Sequence, residues 1–222
     1  MTQPHTRLAV DHRPVQRGFD CNAPAKALSP TATPEAVLAT LHALVDGHYA
    51  GLPCEDAAAA EARAHHAGRN DALQSAAAIG IAGDAADLEL LVRDALRPFQ
   101  FGETPGIAIA GPGVLIRPAA AQLLTLVLHE LTTNAIKFGA LGYAVPRQTL
   151  QVGWKYTARG VVVEWRERGV AILGPAERPR MGFGRQLIEH VVAAYCGTQP
   201  SFRLLPGGVE CTMTMPAQAV VY

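Results

Sequence analysis

The hydrophobic pattern changes its period near Pro98, and this change divides the chain into two kinds of structure. Before Pro98, apolar residues recur at helical spacing in three segments, which begin near residues 34, 55 and 84. After it, short stretches alternate apolar and polar residues, as half-buried strands do, and they surround one long helical segment. The sequence therefore predicts an α+β chain, in which a helical hairpin precedes an α/β sandwich with a mixed sheet covered by helices.

Three regions follow from this pattern. Residues 1–33 hold four prolines and little periodicity, which indicates a flexible N-terminal arm. Residues 34–98 form a helical region, in which Thr33 caps the first helix and an alanine-rich helix follows a short break. Such a hairpin buries too little apolar surface alone, so pairing with a second copy, and hence a homodimer, is expected. Residues 99–222 form the mixed domain.

The individual elements can also be placed along the chain. Helices beyond the hairpin are predicted over residues 84–97, 118–138 and 184–195. Strands are predicted over residues 106–110, 114–116, 151–156, 161–167, 202–205 and 209–215. The alternation within the third of these strands places Val152, Trp154 and Tyr156 on one face.

Charge and composition exclude several classes of protein. The 19 basic and 19 acidic residues give a net charge of +0, so a basic surface for nucleic acid is not expected. No apolar run has the length of a membrane span, and the N-terminus lacks the apolar core of a signal peptide. The four cysteines fit neither a disulfide framework nor a CxxC pair. These features favour a cytoplasmic protein without membrane insertion.

A polar stripe crosses the long predicted helix. Glu130, Asn134 and Lys137 are spaced i, i+4, i+7 and therefore share one helix face. The amide oxygen of Asn134 is a hard, neutral ligand for Mg²⁺, and Lys137 can offset phosphate charge. Glu130 can activate a nucleophile or reach the metal through water. A solvated helix face would show the same triplet, so the helix alone leaves both interpretations open.

Two glycine-containing segments favour a nucleotide site. The strand over residues 161–167 ends in Glu167, which the alternation points inward, and a buried carboxylate needs a donor such as the amine of adenine. Gly169 would let the backbone approach the base. Gly182 and Gly184 lead into a helix, whose first N–H groups can bind phosphates. The alternatives are an exposed glutamate on an edge strand and a simple glycine turn.

In this order and spacing, the three segments resemble the GHKL ATP-binding fold, and specifically the HWE group of sensor histidine kinases. The segment HELTTNAIKFGAL, which begins at His129, is similar to the N box of that family. Trp165 and Glu167 match the Trp-x-Glu of its first glycine box, and MGFGRQLIEHVV, which begins at Met181, is similar to its second. LLPGGVECTMTMP resembles the terminal hairpin, so the resemblance covers roughly residues 60–216.

The resemblance implies a function, cofactors and site residues. The chain would be the histidine kinase core of a two-component system, which phosphorylates itself on histidine with Mg²⁺–ATP and passes the phosphoryl group to a response regulator. Asn134 and Glu130 would serve the metal, and Glu130 and His129 would support catalysis. The residues that would hold the nucleotide are Asn134, Lys137, Glu167, Gly169, Gly182, Gly184 and Arg185.

This chain departs from the family pattern in both glycine boxes. Val170 and Ala171 stand where the family usually has glycine and proline, and the β-branched Val170 would narrow the adenine entrance. Arg185 stands where a small hydroxyl residue is common. It could grip phosphates or form part of a charged lid.

The larger departure concerns the phosphoacceptor. The family's His-Arg-x-x-Asn motif is expected near the start of the helix after residue 33, and it is absent there. His42, on the same helix, and His12, which belongs to a His-Arg pair, are the candidate acceptors, and the absence of any conventional acceptor is equally open. Two other functions therefore stand beside the kinase: a degenerate kinase that acts as a binding or scaffold module for response regulators or kinases, and a GHKL protein that phosphorylates a partner's Ser or Thr or hydrolyses ATP.

Overall fold

The hairpin predicted from the sequence is present in the computed structural model, which describes residues 28–52, 57–82, 85–97, 106–142, 148–170 and 182–221. Helix α1 spans Pro34–Ala50, and helix α2 spans Ala57–Ala82. The side chain of Thr33 accepts a hydrogen bond of 3.3 Å from the N–H of Ala36, as an N-cap residue does. Residues 1–27 of the predicted arm, with His12, lie outside the described residues.

The third predicted helix is shorter than the sequence indicated. Ala86–Asp87 form a short strand, β1, and helix α3 spans only Leu88–Leu96. The carboxylate of Asp87 accepts hydrogen bonds from the N–H groups of Glu89 at 2.7 Å and Leu90 at 3.3 Å. An aspartate in this position starts a helix rather than continuing one, which is why the prediction from residue 84 was wrong at this end.

The region after residue 106 contains a mixed sheet and one long helix. The strands are β2 (Ile107–Ala110), β4 (Thr149–Thr157), β5 (Gly160–Arg168), β6 (Ser201–Leu205) and β7 (Gly208–Pro216). Their order in the sheet is β2-β4-β5-β7-β6; β2 runs parallel to β4, and the other neighbours are antiparallel. Strands β3 (Leu115–Ile116) and β8 (Val220–Val221) form a small separate sheet with β1.

Two helices of this region supply most of the apolar residues that face the sheet. Helix α4 spans Pro118–Phe138, as predicted. Helix α5 covers residues 183–196, with regular turns at Phe183–Gln186 and Ala193–Cys196 and a π-helical segment, Leu187–Val192, between them. Their buried side chains share one core with β4, β5 and β7, in which Trp165 is the largest fully buried side chain. The fold is thus α+β with a helical layer on a mixed sheet, as the sequence predicted.

The last residues of β4 lie beyond the core. Val152 and Trp154 are buried, but Tyr156, expected on the same face, is 45% exposed. Its hydroxyl donates a hydrogen bond of 2.9 Å to the carbonyl of Gly113. The strand at this point extends past the core, so its alternation continues without burying the ring.

The apolar side of the hairpin lies against its own chain. Val37, Leu41 and Leu44 of α1 and Leu73 of α2 are fully buried in the common core, and both helices contact α4. From the sequence, this surface was expected to pair with a second copy of the chain. Among the described residues, no helix combines the length and apolarity needed to cross a bilayer.

Candidate functional site

A cavity of about 460 Å³ opens between the hairpin, α4 and the start of α5. This volume lies in the range of about 300–1,000 Å³ that small-molecule sites occupy. Both parts of the chain contribute to its wall. The lining residues with chemical function include His48, Arg69, Glu130, Asn134, Gly184 and Arg185.

The side chains of the polar stripe on α4 face two places, because some line this cavity and one contacts the hairpin. Glu130 and Asn134 line the cavity, and Glu130 is only 4% exposed. Lys137 does not line it; its ammonium group instead contacts the carboxylate of Glu61 and the imidazole of His65, both on α2. The helical spacing placed all three side chains on one face correctly, but α2 covers the end of that face.

The carboxylate of Glu130 is held by an arginine that the sequence analysis did not identify. Arg69 of α2 donates from Nε to Oε1 at 2.7 Å and from Nη2 to Oε2 at 3.2 Å. The same guanidinium lies 4.1 Å from the ring centre of Phe183, at the start of α5. Both charges are buried, so each depends on the other for compensation. The two residues are 61 positions apart, and no local sequence pattern connects them.

The second glycine segment approaches α4 closely. A Cβ atom at Gly184 would lie 2.9 Å from Oε2 of Glu130 and 3.4 Å from Nδ2 of Asn134, so a larger residue would press on both groups. Gly182 caps the helix and lines the cavity, which places the first N–H groups of this helix near its wall. Arg185 also lines the cavity, and its Nε donates to Glu189 at 2.6 Å.

Glu167 is placed differently from the other predicted residues. It is 2% exposed and is not among the residues that line the cavity with Asn134. Its two oxygens accept hydrogen bonds from the N–H of Ala140 at 2.8 Å and from the indole N–H of Trp165 at 2.9 Å. Burial raises the pKa of this carboxyl, and the two donors oppose the rise. A Cβ at Gly139 would lie 1.9 Å from the carboxylate, so glycine is required there.

The first glycine box ends in an unusual backbone conformation. Gly169 has φ of 74°, in the left-handed region that favours glycine. Val170 is buried, and its N–H donates to the carbonyl of Gly207 at 3.1 Å. Gly169 does not line the cavity with Asn134. Residues 171–181 lie outside the described residues.

The histidines occupy distinct environments. His42 is half-buried on α1 and does not line the cavity, while His129 faces Gly68 of α2 and a second cavity on the other side of α4. His48, in the last turn of α1, does line the first cavity, with its ring centre 5.0 Å from that of Phe183. Burial lowers the pKa of His48 to about 4, with a smaller contribution from Arg69. His65 also lines this cavity.

The residues at the cavity suit a cation that is held mainly through phosphate. No group of three or more His, Cys, Asp or Glu side chains in the described part of the chain could hold a metal by itself. Mg²⁺ commonly takes one or two protein oxygens and fills its other positions with phosphate and water. The amide of Asn134 beside the glycine-capped helix start fits that arrangement, whereas Glu130 is already neutralised by Arg69.

The fold is that of a histidine kinase domain of the GHKL type. The histidine kinase domain from an Erythrobacter litoralis blue-light activated histidine kinase superposes with a TM-score of 0.53 at 14% identity, over 83% of this chain and 94% of that one. A longer structure of that kinase gives a TM-score of 0.55 at 17% identity, over 86% of this chain and 62% of that one.

Sequence comparison finds relatives of the same kind. A blue-light-activated histidine kinase of Erythrobacter litoralis is 28% identical over 135 residues, which are 60% of this chain and 36% of that protein. One of Brucella anthropi is 32% identical over 130 residues, or 58% of this chain and 26% of that protein. No family model matches the chain. In sequence and in fold, this chain is similar to histidine kinases, and it spans about a quarter to a third of the length of these two curated relatives.

Proposed function

We propose that this chain is a histidine kinase core that binds Mg²⁺–ATP in the cavity beside Asn134 and phosphorylates a histidine. The phosphoryl group would then pass to an aspartate of a response regulator. The observation that supports the proposal most directly is the convergence of Asn134, Glu130 and Gly184 on one cavity wall. The relatives with named function are histidine kinases, which points in the same direction. A cytoplasmic location and a second copy as partner belong to this proposal.

The residues of the chain have separate roles in this function. Mg²⁺, when bound, would neutralise phosphate charge and orient the triphosphate. The amide of Asn134 would hold the cation, and the N–H groups that follow Gly182 would bind phosphate oxygens at the positive end of α5. Arg185 lies close enough to the same cavity to add positive charge. Catalysis would rest on positioning and charge neutralisation.

Glu167 and Gly169 would recognise the adenine, and His129 would support α4 from the other side. The contacts of Glu167 and His129 bear on both roles. Glu167 holds two internal donors, and His129 contacts α2 rather than the cavity. Purine recognition at Glu167 would therefore require one of those donors to move or to share its oxygen.

A second function has a specific observation in its favour. Glu130 and Lys137, two of the three side chains on the polar stripe, are occupied by Arg69 and Glu61 of the hairpin. Together with the missing acceptor motif, this arrangement supports a degenerate kinase that binds response regulators or kinases without phosphorylating them. The two functions differ in whether the phosphoryl group is transferred.

Thermal unfolding with Mg²⁺–ATP tests the proposal. At a ligand concentration about 100 times Kd, binding stabilises the folded state by about 2.7 kcal/mol, which for a chain of this size corresponds to roughly 5–11 °C in Tm. We expect this increase for the wild type and less than about 2 °C for Asn134→Ala, because the mutant lacks the amide ligand. Thr125→Ala, on the side of α4 that lines the second cavity, is the matched control and should keep the full increase.

The outcome separates the candidates. A wild-type Tm that does not respond to Mg²⁺–ATP would exclude the kinase. A normal response, combined with tight binding of a response regulator and no phosphate transfer from γ-labelled ATP, would favour the scaffold.

A further inference from the structure

The cavity beside Asn134 contains histidines that the acceptor motif does not identify. Among the described residues that line it, two are histidines, His48 on α1 and His65 on α2. His65 is engaged at the rim by Glu61 and by Lys137. His42, the candidate chosen from the sequence, lies six residues before His48, which is about 240° of rotation around the helix. The two therefore point to different faces of α1.

A continuous set of contacts connects His48 to the predicted phosphate-binding turn. Its ring centre lies 5.0 Å from that of Phe183, the residue between Gly182 and Gly184. On the same ring, the guanidinium of Arg69 lies 4.1 Å from the centre and binds Glu130. The imidazole thus shares one cavity with the amide of Asn134 and with the start of α5, where phosphate would bind.

The protonation state of His48 suits a nucleophile. An imidazole can attack phosphorus only when one ring nitrogen has a free lone pair, so the ring must be neutral. Burial, Arg69 and His65 together lower the pKa of His48 to about 4, while Glu130 acts in the opposite direction. The ring is therefore neutral at pH 7, and it stays neutral in mildly acidic solution, where an exposed histidine becomes protonated.

We infer that His48 is the residue on which the chain is phosphorylated, by a nucleotide bound in the cavity of the same chain. The inference rests on the proposed function, because it needs ATP in that cavity. One ring nitrogen of His48 forms a bond to the γ-phosphorus as the bond from that phosphorus to the β–γ bridging oxygen breaks. The bridging electron pair stays with ADP, and the proton on the other ring nitrogen passes to water.

This position explains why the family's acceptor motif is dispensable here. The motif would place a histidine at the start of α1, whereas His48 lies in its last turn, where α1 reaches the start of α5. Donor and acceptor then belong to one chain, and their encounter needs no second copy. Phosphorylation should accordingly be first order, with a rate that does not depend on protein concentration.

The test measures acid-labile, base-stable label from γ-labelled ATP, with the Mg²⁺–ATP shift in Tm as a separate readout of binding. We expect His48→Gln to lose label at least tenfold while it keeps the Tm shift. His66→Gln, a histidine of the same hairpin outside this cavity, is the matched control and should label within twofold of wild type. His42→Gln, also outside the cavity, should behave like the control, and the mapped site of the label separates His48 from His65, which lines the cavity. Peptide mapping of labelled wild-type protein locates the phosphate without any substitution, in case His48→Gln folds poorly.

The results distinguish this inference from the proposed function. Label that persists in His48→Gln, label mapped to another residue, or a wild type that binds Mg²⁺–ATP without labelling would overturn the assignment and leave nucleotide binding intact. A wild type that fails to bind Mg²⁺–ATP would overturn both.

Discussion

The two sides of helix α4 form very different contacts. On one side, Leu124, Leu128 and Leu131 are buried in the core shared with the sheet. On the other side, Glu130 and Lys137 bind charged residues of α2. Apolar residues of the hairpin are buried in the same core, so both sides of α4 are held by apolar contacts, and the hairpin side adds ion pairs, one of which is buried. The comparison indicates that the hairpin side, unlike the sheet side, depends on a buried charge pair in addition to apolar contacts.

The largest effect is expected for a substitution in the sheet core. Trp165 is 1% exposed, and its indole N–H supports Glu167. Trp165→Ala should lower the free energy of unfolding by about 3–5 kcal/mol, because it leaves a large cavity and removes a donor from a buried carboxylate. Urea unfolding measures the change. Lys155→Ala, an exposed residue of the neighbouring strand, is the control and should change stability by less than about 1 kcal/mol.

On the hairpin side, we expect a smaller loss of overall stability and a local increase in hydrogen exchange. Removing one partner of a buried ion pair costs about 3–5 kcal/mol when the other charge stays buried. In Arg69→Ala, a local opening of α2 around position 69 would return Glu130 to water, so we expect a smaller loss of stability than for Trp165→Ala. Hydrogen exchange should become faster in α2 while α4 keeps its protection, because only the hairpin contact is lost.

A matched substitution in the same interface tests whether burial is the cause. Glu61 is exposed and contacts Lys137, so Glu61→Gln should change stability by less than about 1 kcal/mol and leave exchange in α2 nearly unaltered. Equal effects of Arg69→Ala and Glu61→Gln would contradict the view that the buried pair holds the hairpin. Faster exchange throughout the sheet in Arg69→Ala would show that the two sides of α4 are not separable.

The smallest effect is a dependence of the free energy of unfolding on pH, which comes from histidines at the contact between the hairpin and α4. Burial lowers the pKa of His48 to about 4 and also lowers the pKa of His65 and of His129. The unfolded chain takes up protons near pH 6.5 while the folded chain does not, so stability is complete above pH 6.5 and falls as the pH drops toward 4. Unfolding free energies between pH 7.5 and 4.5 should show this decline. It should be weaker in His48→Gln, and an unchanged slope in that variant would assign the effect elsewhere.

Local patterns predicted those parts of the fold that local interactions create. The 3.6-residue period and Pro118 placed α4, and the cap at Thr33 placed the start of α1. The period of two pointed Glu167 inward, and this residue is buried near the end of β5. These features depend on residues within a few positions of one another, so the sequence contains enough information to predict them.

The candidate site depended on contacts that no local pattern encodes. The helical period brought Glu130 and Asn134 to one face, but it could not show that Arg69 would neutralise Glu130 or that Glu61 would engage Lys137. The hairpin was assigned to a second copy because its apolar face had no visible partner, and α4 of the same chain turned out to cover it. His48 was overlooked because position in a cavity, rather than a motif, distinguishes it from His42.

The hydrogen bond between Ala140 and Glu167 connects the carboxylate proposed to bind the purine with the C-terminal end of α4. A purine amine that takes the oxygen now held by Ala140 would release the segment just after α4, which Gly139 brings against the carboxylate. Lys137 lies in the turn immediately before that segment and contacts Glu61 of the hairpin. Binding of a purine at Glu167 and attachment of the hairpin through Lys137 would therefore both depend on the conformation of the C-terminal end of α4.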